Sequence, residues 1–141
     1  MNRPDLYYKT VNLLLDAYNT GKLKHGSCEY CAVGNICKEA SVKTGIDNAN
    51  WAGAFCTFQN ETGDFYIQED KWFIPTSNAV ELINATGYTV EELKQVEWAF
   101  ETSIPINQRE YYTAVNIKQG QYIGLCAVLE VLKDIHSAEV E

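Results

Sequence analysis

The sequence predicts a mainly α fold: one compact helical domain over residues 1–141, with about six helices and room for one small β-hairpin. Three observations predict it. Apolar residues recur at the 3.6-residue period along most of the chain, and start and stop residues stand at the ends of those stretches. The one region without that period, Ile46 to Pro75, is aromatic-rich and centres on a turn-forming run, Asn60-Glu61-Thr62-Gly63-Asp64. A chain of 141 residues that is 46% apolar can bury one proper core.

The first helix is read from Tyr7, Val11, Leu14, Leu15 and Tyr18, one stripe between Pro4 and Gly21. A second runs from about Glu29 to Thr44, with Val33, Ile36, Cys37 and Ala40 on one face and Gly45 as its stop. The hairpin pairs Ala54–Gln59 with Asp64–Gln68. Ser77 or Asn78 then caps a short helix to Ala85, ended by Gly87. Thr89-Val90-Glu91-Glu92 is a capping box, with Tyr88 and Leu93 as hydrophobic staple, and its helix stops at Ser103-Ile104-Pro105. The same device repeats with Asn107 as cap and Glu110 three residues on, which predicts a helix from Gln108 towards Lys118. A last helix, Gln121 to His136, is apolar on two sides and therefore central; Gly120 and Gly124 let it approach a neighbour closely.

Nineteen acidic residues against eleven basic ones leave a net charge of −8, which disfavours a protein built to hold nucleic-acid phosphates or anionic lipid. The longest apolar run, around Ile123 to Leu129, is too short to span a bilayer, and the N-terminus has no secretory pattern. The expected setting is cytoplasmic, the expected partner another protein, and neither nucleic acid nor membrane is expected. Five cysteines are an odd number for a disulfide framework and point to thiols or metal ligands. Phosphate-binding loops, dinucleotide fingerprints, paired-histidine metal helices and nucleophile elbows are all absent, so the reading leans away from an enzyme.

One constellation has metal-like spacing: His25-Gly26-Ser27-Cys28-Glu29-Tyr30-Cys31. If a helix begins at Cys28, both sulfurs sit at the positive end of its dipole, which favours the thiolate needed by a metal ligand or a nucleophile. A structural Zn2+ would take Cys28 and Cys31 and complete its set from His25, Cys56 or His136. A redox dithiol would use the same pair, and an iron–sulfur cluster would have to recruit the core-facing Cys37. The remaining alternative is that the pair only packs a helix start. Cys126 is expected in the core, His136 as a cation at a helix C-terminus, and Glu97 as an inward-drifting acid needing Arg109 or a tyrosine hydroxyl. Trp51, Phe55, Trp72 and Phe73 are the candidates for a recognition surface rimmed by Asp64, Glu69 and Asp70, unless these rings simply roof the core.

Three stretches, Cys28-Glu29-Tyr30-Cys31-Ala32-Val33-Gly34-Asn35, Gly87–Leu93 running on to Glu97-Trp98-Ala99-Phe100, and Gly124–Val128, resemble small uncharacterised bacterial and phage proteins with a C-x-x-C-A-V-G-N motif. Such proteins often carry the label of the flavin-bearing component of a sodium-translocating NADH-quinone reductase. That component would need a plant-type four-cysteine ferredoxin spacing and a flavin domain, and neither pattern is in this sequence. The resemblance covers about a third of the chain, implies no activity, and singles out Cys28 and Cys31. The expectation is a small protein-binding or regulatory module, stabilised or not by zinc. The alternatives are a thiol redox protein and an acidic phage-type inhibitor of a nucleic-acid-binding or defence protein.

Overall fold

The computed structural model describes residues 3–55 and 76–137, together with the backbone of 57–59 and 65–67. Five α-helices carry the fold: α1 (Arg3–Asn19), α2 (Ala32–Thr44), α3 (Ser77–Thr86), α4 (Val90–Thr102) and α5 (Ile117–Ile135). A 3-10 segment, Asn48–Ala54, follows α2, and two short strands, β1 (Thr57–Gln59) and β2 (Phe65–Ile67), pair antiparallel with Phe58 opposite Tyr66. The mainly α reading holds, with the hairpin where the turn-forming run predicts it. No helix among the described residues is long and apolar enough to cross a membrane.

The buried ridge of α1 is Leu6, Thr10, Leu14 and Ala17, one position earlier than the apolar stripe predicts over most of its length. Thr10 explains the rotation. Its hydroxyl donates to the Leu6 carbonyl at 2.7 Å and accepts from the Tyr88 hydroxyl at 2.8 Å, so a polar side chain is fully satisfied in the interior. His136 Nε2 lies 2.9 Å from the same tyrosine oxygen, and the imidazole is fully buried. His136 stands at the C-terminus of the last helix as expected, and there it also starts a buried relay, His136 to Tyr88 to Thr10 to Leu6.

Helix ends follow the sequence signals closely where those signals are local. Gly45 (φ 75°) and Gly87 (φ 88°) close α2 and α3 in the left-handed conformation. Thr89 and Glu92 form the capping box on α4, and Thr76 takes the cap expected of Ser77 or Asn78. After Pro105 the expected helix from Gln108 to Lys118 is replaced by a 3-10 turn, Ile106–Gln108, and a π-helical turn, Tyr111–Val115. Asn107 does not cap it. α5 therefore begins at Ile117, four residues earlier than its periodicity suggests.

α4 packs on α5 and α2 on α3, while α1 lies across α2 and α5 and the 3-10 segment rests on α2 and α3. Leu14, Leu23, Val33, Leu82, Leu93, Phe100 and Leu132 meet in the core, each fully buried or nearly so. Close approach of α5 to α4 depends on Gly124, where a Cβ would stand 2.5 Å from the Phe100 ring and 2.8 Å from His25. This packing brings the His25–Cys31 loop, α4 and the start of α5 together.

Candidate functional site

The loop between α1 and α2 holds the C-x-x-C motif, and its conformation follows from hydrogen bonds that nearly every motif residue makes. The helix begins at Ala32 rather than near Cys28, and Cys31 is its N-cap, accepting from the Gly34 N–H at 3.3 Å. The Cys31 thiol is itself directed at the Cys28 carbonyl, 3.9 Å away. Asn35 Nδ2 donates to the carbonyls of Lys22, Tyr30 and Cys31 at 2.8–3.0 Å, and Asn48 Nδ2 donates to those of Glu29 and Gly34. Trp51 Nε1 donates to the Cys28 carbonyl at 2.6 Å. At Gly34 a Cβ would lie 2.3 Å from the Cys28 carbonyl oxygen and 2.5 Å from that of Glu29, so only glycine lets the loop fold onto the helix.

Two carboxyls on α4 sit against this loop. Glu97 and Glu101, one helical turn apart, are both buried. Glu101 accepts from the Gly26 N–H at 3.0 Å and is ion-paired with Arg109, the partner expected for Glu97. Glu97 Oε2 has no hydrogen-bond partner among the described residues. Burial first, then the neighbouring Glu101 charge, holds the Glu97 carboxyl well above the usual carboxylate range, which favours its protonated form. The thiols move the same way. Burial and then the nearby glutamates push Cys28 up and Cys31 well up, and burial pushes Cys37 up to about 12. The helix dipole, worth under about 1 kcal/mol at a surface, is outweighed by the cost of charging sulfur in the interior. The thiolate expected from a helix start at Cys28 is thus replaced by protonated thiols.

His25 faces the other side of the loop. Its Nε2–H donates to Ser103 Oγ at 3.1 Å, and its ring stacks on Phe100 at 4.1 Å with 7° between planes. Burial, helped by the Arg109 charge and opposed by contact with the Phe100 backbone, lowers its pKa to about 4, leaving a neutral imidazole. It forms one wall of a half-open cleft of about 200 Å³ with Lys24, Tyr112, Thr113, Ile117 and Gln121. The π-helical turn builds the opposite wall, held by Gly120, where a Cβ would be 2.3 Å from the Tyr112 carbonyl.

Of the expected metal set, Cys28, Cys31 and His25 belong to one loop, with the His25 Nε2 committed to Ser103. Cys56 lies outside the described residues, and among those described no group of three or more His, Cys, Asp or Glu side chains is arranged to hold a metal ion. The expected recognition surface is corrected: Trp51 and Phe55 are each 2% exposed, packed edge to face at 4.9 Å, because the Trp51 indole is used to pin the Cys28 carbonyl. Trp72 and Phe73 lie outside the described residues. Cys126, expected in the core, is exposed on α5, since Leu125, Val128 and Leu132 define the inward face there. Sequence reasoning missed Gln121 and the surface of the π-helical turn; the four-residue spacing of Gly120 and Gly124 is the signal that α5 is tightly packed on both sides of Gln121. Compared with protein-family models, with curated proteins and with solved structures, the chain finds no match.

Proposed function

We propose that the protein is a non-enzymatic protein-binding module whose working face is the π-helical turn and the start of α5. One observation carries the reading: residues 111–122 include three tyrosines and a single charged residue, Lys118, in a chain of net charge −8, and two of those tyrosines are exposed together with Val115 and Ile117. Val115 is 72% exposed, and Tyr111, Ile117 and Tyr122 are each about half exposed. Tyrosine-rich, charge-poor surface is the composition of the centre of a protein interface. Glycine packing beneath it at Gly120 supports a preformed face rather than one shaped on contact.

The C-x-x-C segment serves this module as a scaffold. Raised thiol pKa values, with the Cys31 sulfur bonded within the loop, weigh against the redox alternative, and the capping role of Cys31 supports the version of the module without zinc. A zinc-held version would have to complete its ligands from beyond Cys28 and Cys31.

The test is a partner identified on immobilised wild-type chain, then titrated as purified protein against wild type and Val115→Asp/Ile117→Asp. Both sites are exposed, so circular dichroism and melting should be unchanged while affinity falls at least tenfold, about 1.4 kcal/mol. Affinity should also depend weakly on salt. Equal binding by the variant would place the partner elsewhere, and a steep salt dependence would favour the acidic-inhibitor reading instead.

A further inference from the structure

We propose that the cleft between His25 and the π-helical turn is a binding site for a small apolar carboxylate, with Gln121 bonding its oxygens and Lys24 meeting its charge. Gln121 is 5% exposed, lines the cleft, and its side-chain amide makes no hydrogen bond to any described residue. The other two buried amides show how unusual that is: Asn35 donates to three carbonyls and Asn48 to two. The Gln121 amide is not sealed from solvent but opens into the cleft, where its N–H groups are free to donate to a ligand carboxylate in place of water.

The chemistry of the walls selects the ligand. No Asp or Glu lines the cleft, and its cation, Lys24, has no carboxylate partner among the described residues, its ammonium resting 5.4 Å from the Tyr30 ring. An anion is therefore preferred to a cation. Tyr112 and Ile117 supply an apolar wall, and the neutral His25 ring stacked on Phe100 closes the other side without adding a second charge. A volume of about 200 Å³ exceeds the roughly 150 Å³ that holds one benzene. It thus admits one ring or branched side chain together with its carboxylate. Gly120 and Gly124 flank Gln121 on α5 and fix both walls by backbone-close packing, so the site is preformed. The same chemistry is offered by a free organic acid and by the C-terminal residue of a polypeptide. The inference rests on the reading of this face as the working one, but it can succeed or fail apart from it, because its probes need no protein partner.

The experiment is an amide-resolved NMR titration of the whole chain with phenylacetate, isovalerate, phenylacetamide and N-acetylphenylalanine. At least one carboxylate should bind saturably with Kd on the order of 1 mM or tighter and shift the Gln121 side-chain amide pair, and phenylacetamide should bind at least about tenfold more weakly than phenylacetate. Gln121→Leu should abolish the effect without loss of thermal stability, since it removes an unpartnered group, and Lys24→Gln should weaken binding about tenfold. Tighter binding of N-acetylphenylalanine than of phenylacetate assigns the ligand to a chain terminus; the reverse order assigns it to a free acid. No saturable binding by any carboxylate, equal binding of the amide, or unchanged binding by Gln121→Leu overturns the proposal. Loss of the partner interaction in Val115→Asp, a site that does not line the cleft, with carboxylate binding intact would show the two readings to be separate.

Discussion

Burial pushes Glu97 and His25 each towards the uncharged form, and they make stability depend on pH in opposite directions. The Glu97 pKa is raised in the folded state, so its contribution is full below about pH 4.5 and is lost as pH rises through the folded value. The His25 pKa is lowered from 6.5 to about 4, so its contribution is full above 6.5 and disappears as pH falls across that window. The histidine alone is worth on the order of 2–3 kcal/mol. Glu97→Gln, which imitates the protonated acid, is expected to melt higher than wild type near pH 8 by a few degrees, about 2–4 °C per kcal/mol at this size, with the difference closing towards pH 4.5. A lower melting temperature for the variant at both pH values would mean that Glu97 is charged and paired. The inward position of Glu97 was legible from its place beside the Leu93 and Phe100 stripe, but its partner was not. Arg109 belongs to Glu101 because Glu101 is the member of the pair that also reaches the Gly26 amide, and that contact spans the fold rather than the helix.

Among the elements, those specified by their own ends were legible and those specified by tertiary contact were not. The capping box at Thr89 and the closures at Gly45 and Gly87 need only a few adjacent residues. The 3-10 segment Asn48–Ala54 is held instead by Asp47 capping Ala49 and by Trp51 and Asn48 reaching back to the cysteine loop. The π-helical turn replaces a helix whose cap and third-position glutamate were both present in the sequence, because the Tyr112 carbonyl closes onto Gly120. Gly120→Ala would put a methyl where that oxygen lies. It is expected to destabilise the chain by about 1–3 kcal/mol and to weaken both partner and carboxylate binding, read by denaturant unfolding and by the titrations above. An unfolding midpoint equal to wild type would show that the turn does not depend on this contact.

For the molecule as a whole, the loop that carries the C-x-x-C motif divides two environments. Glu97, Glu101, Cys31 and Cys37 are buried, whereas His25 lines the cleft that borders the exposed tyrosines. The helical architecture was readable from periodicity, whereas this division was not, since it arises from how α4 and α5 meet the loop. The central claim is that the cysteine motif is a packed scaffold with protonated thiols and the working face is on the α5 side. The most direct test is alkylation of the native chain at about pH 7.5, with and without a chelator, followed residue by residue by mass spectrometry; exposed thiols react and buried ones do not. The account predicts that Cys126 is modified readily and that Cys31 and Cys37 stay protected in both conditions until the protein unfolds. Modification of Cys31 as fast as Cys126, or protection of Cys31 that disappears when the chelator is added, would contradict it.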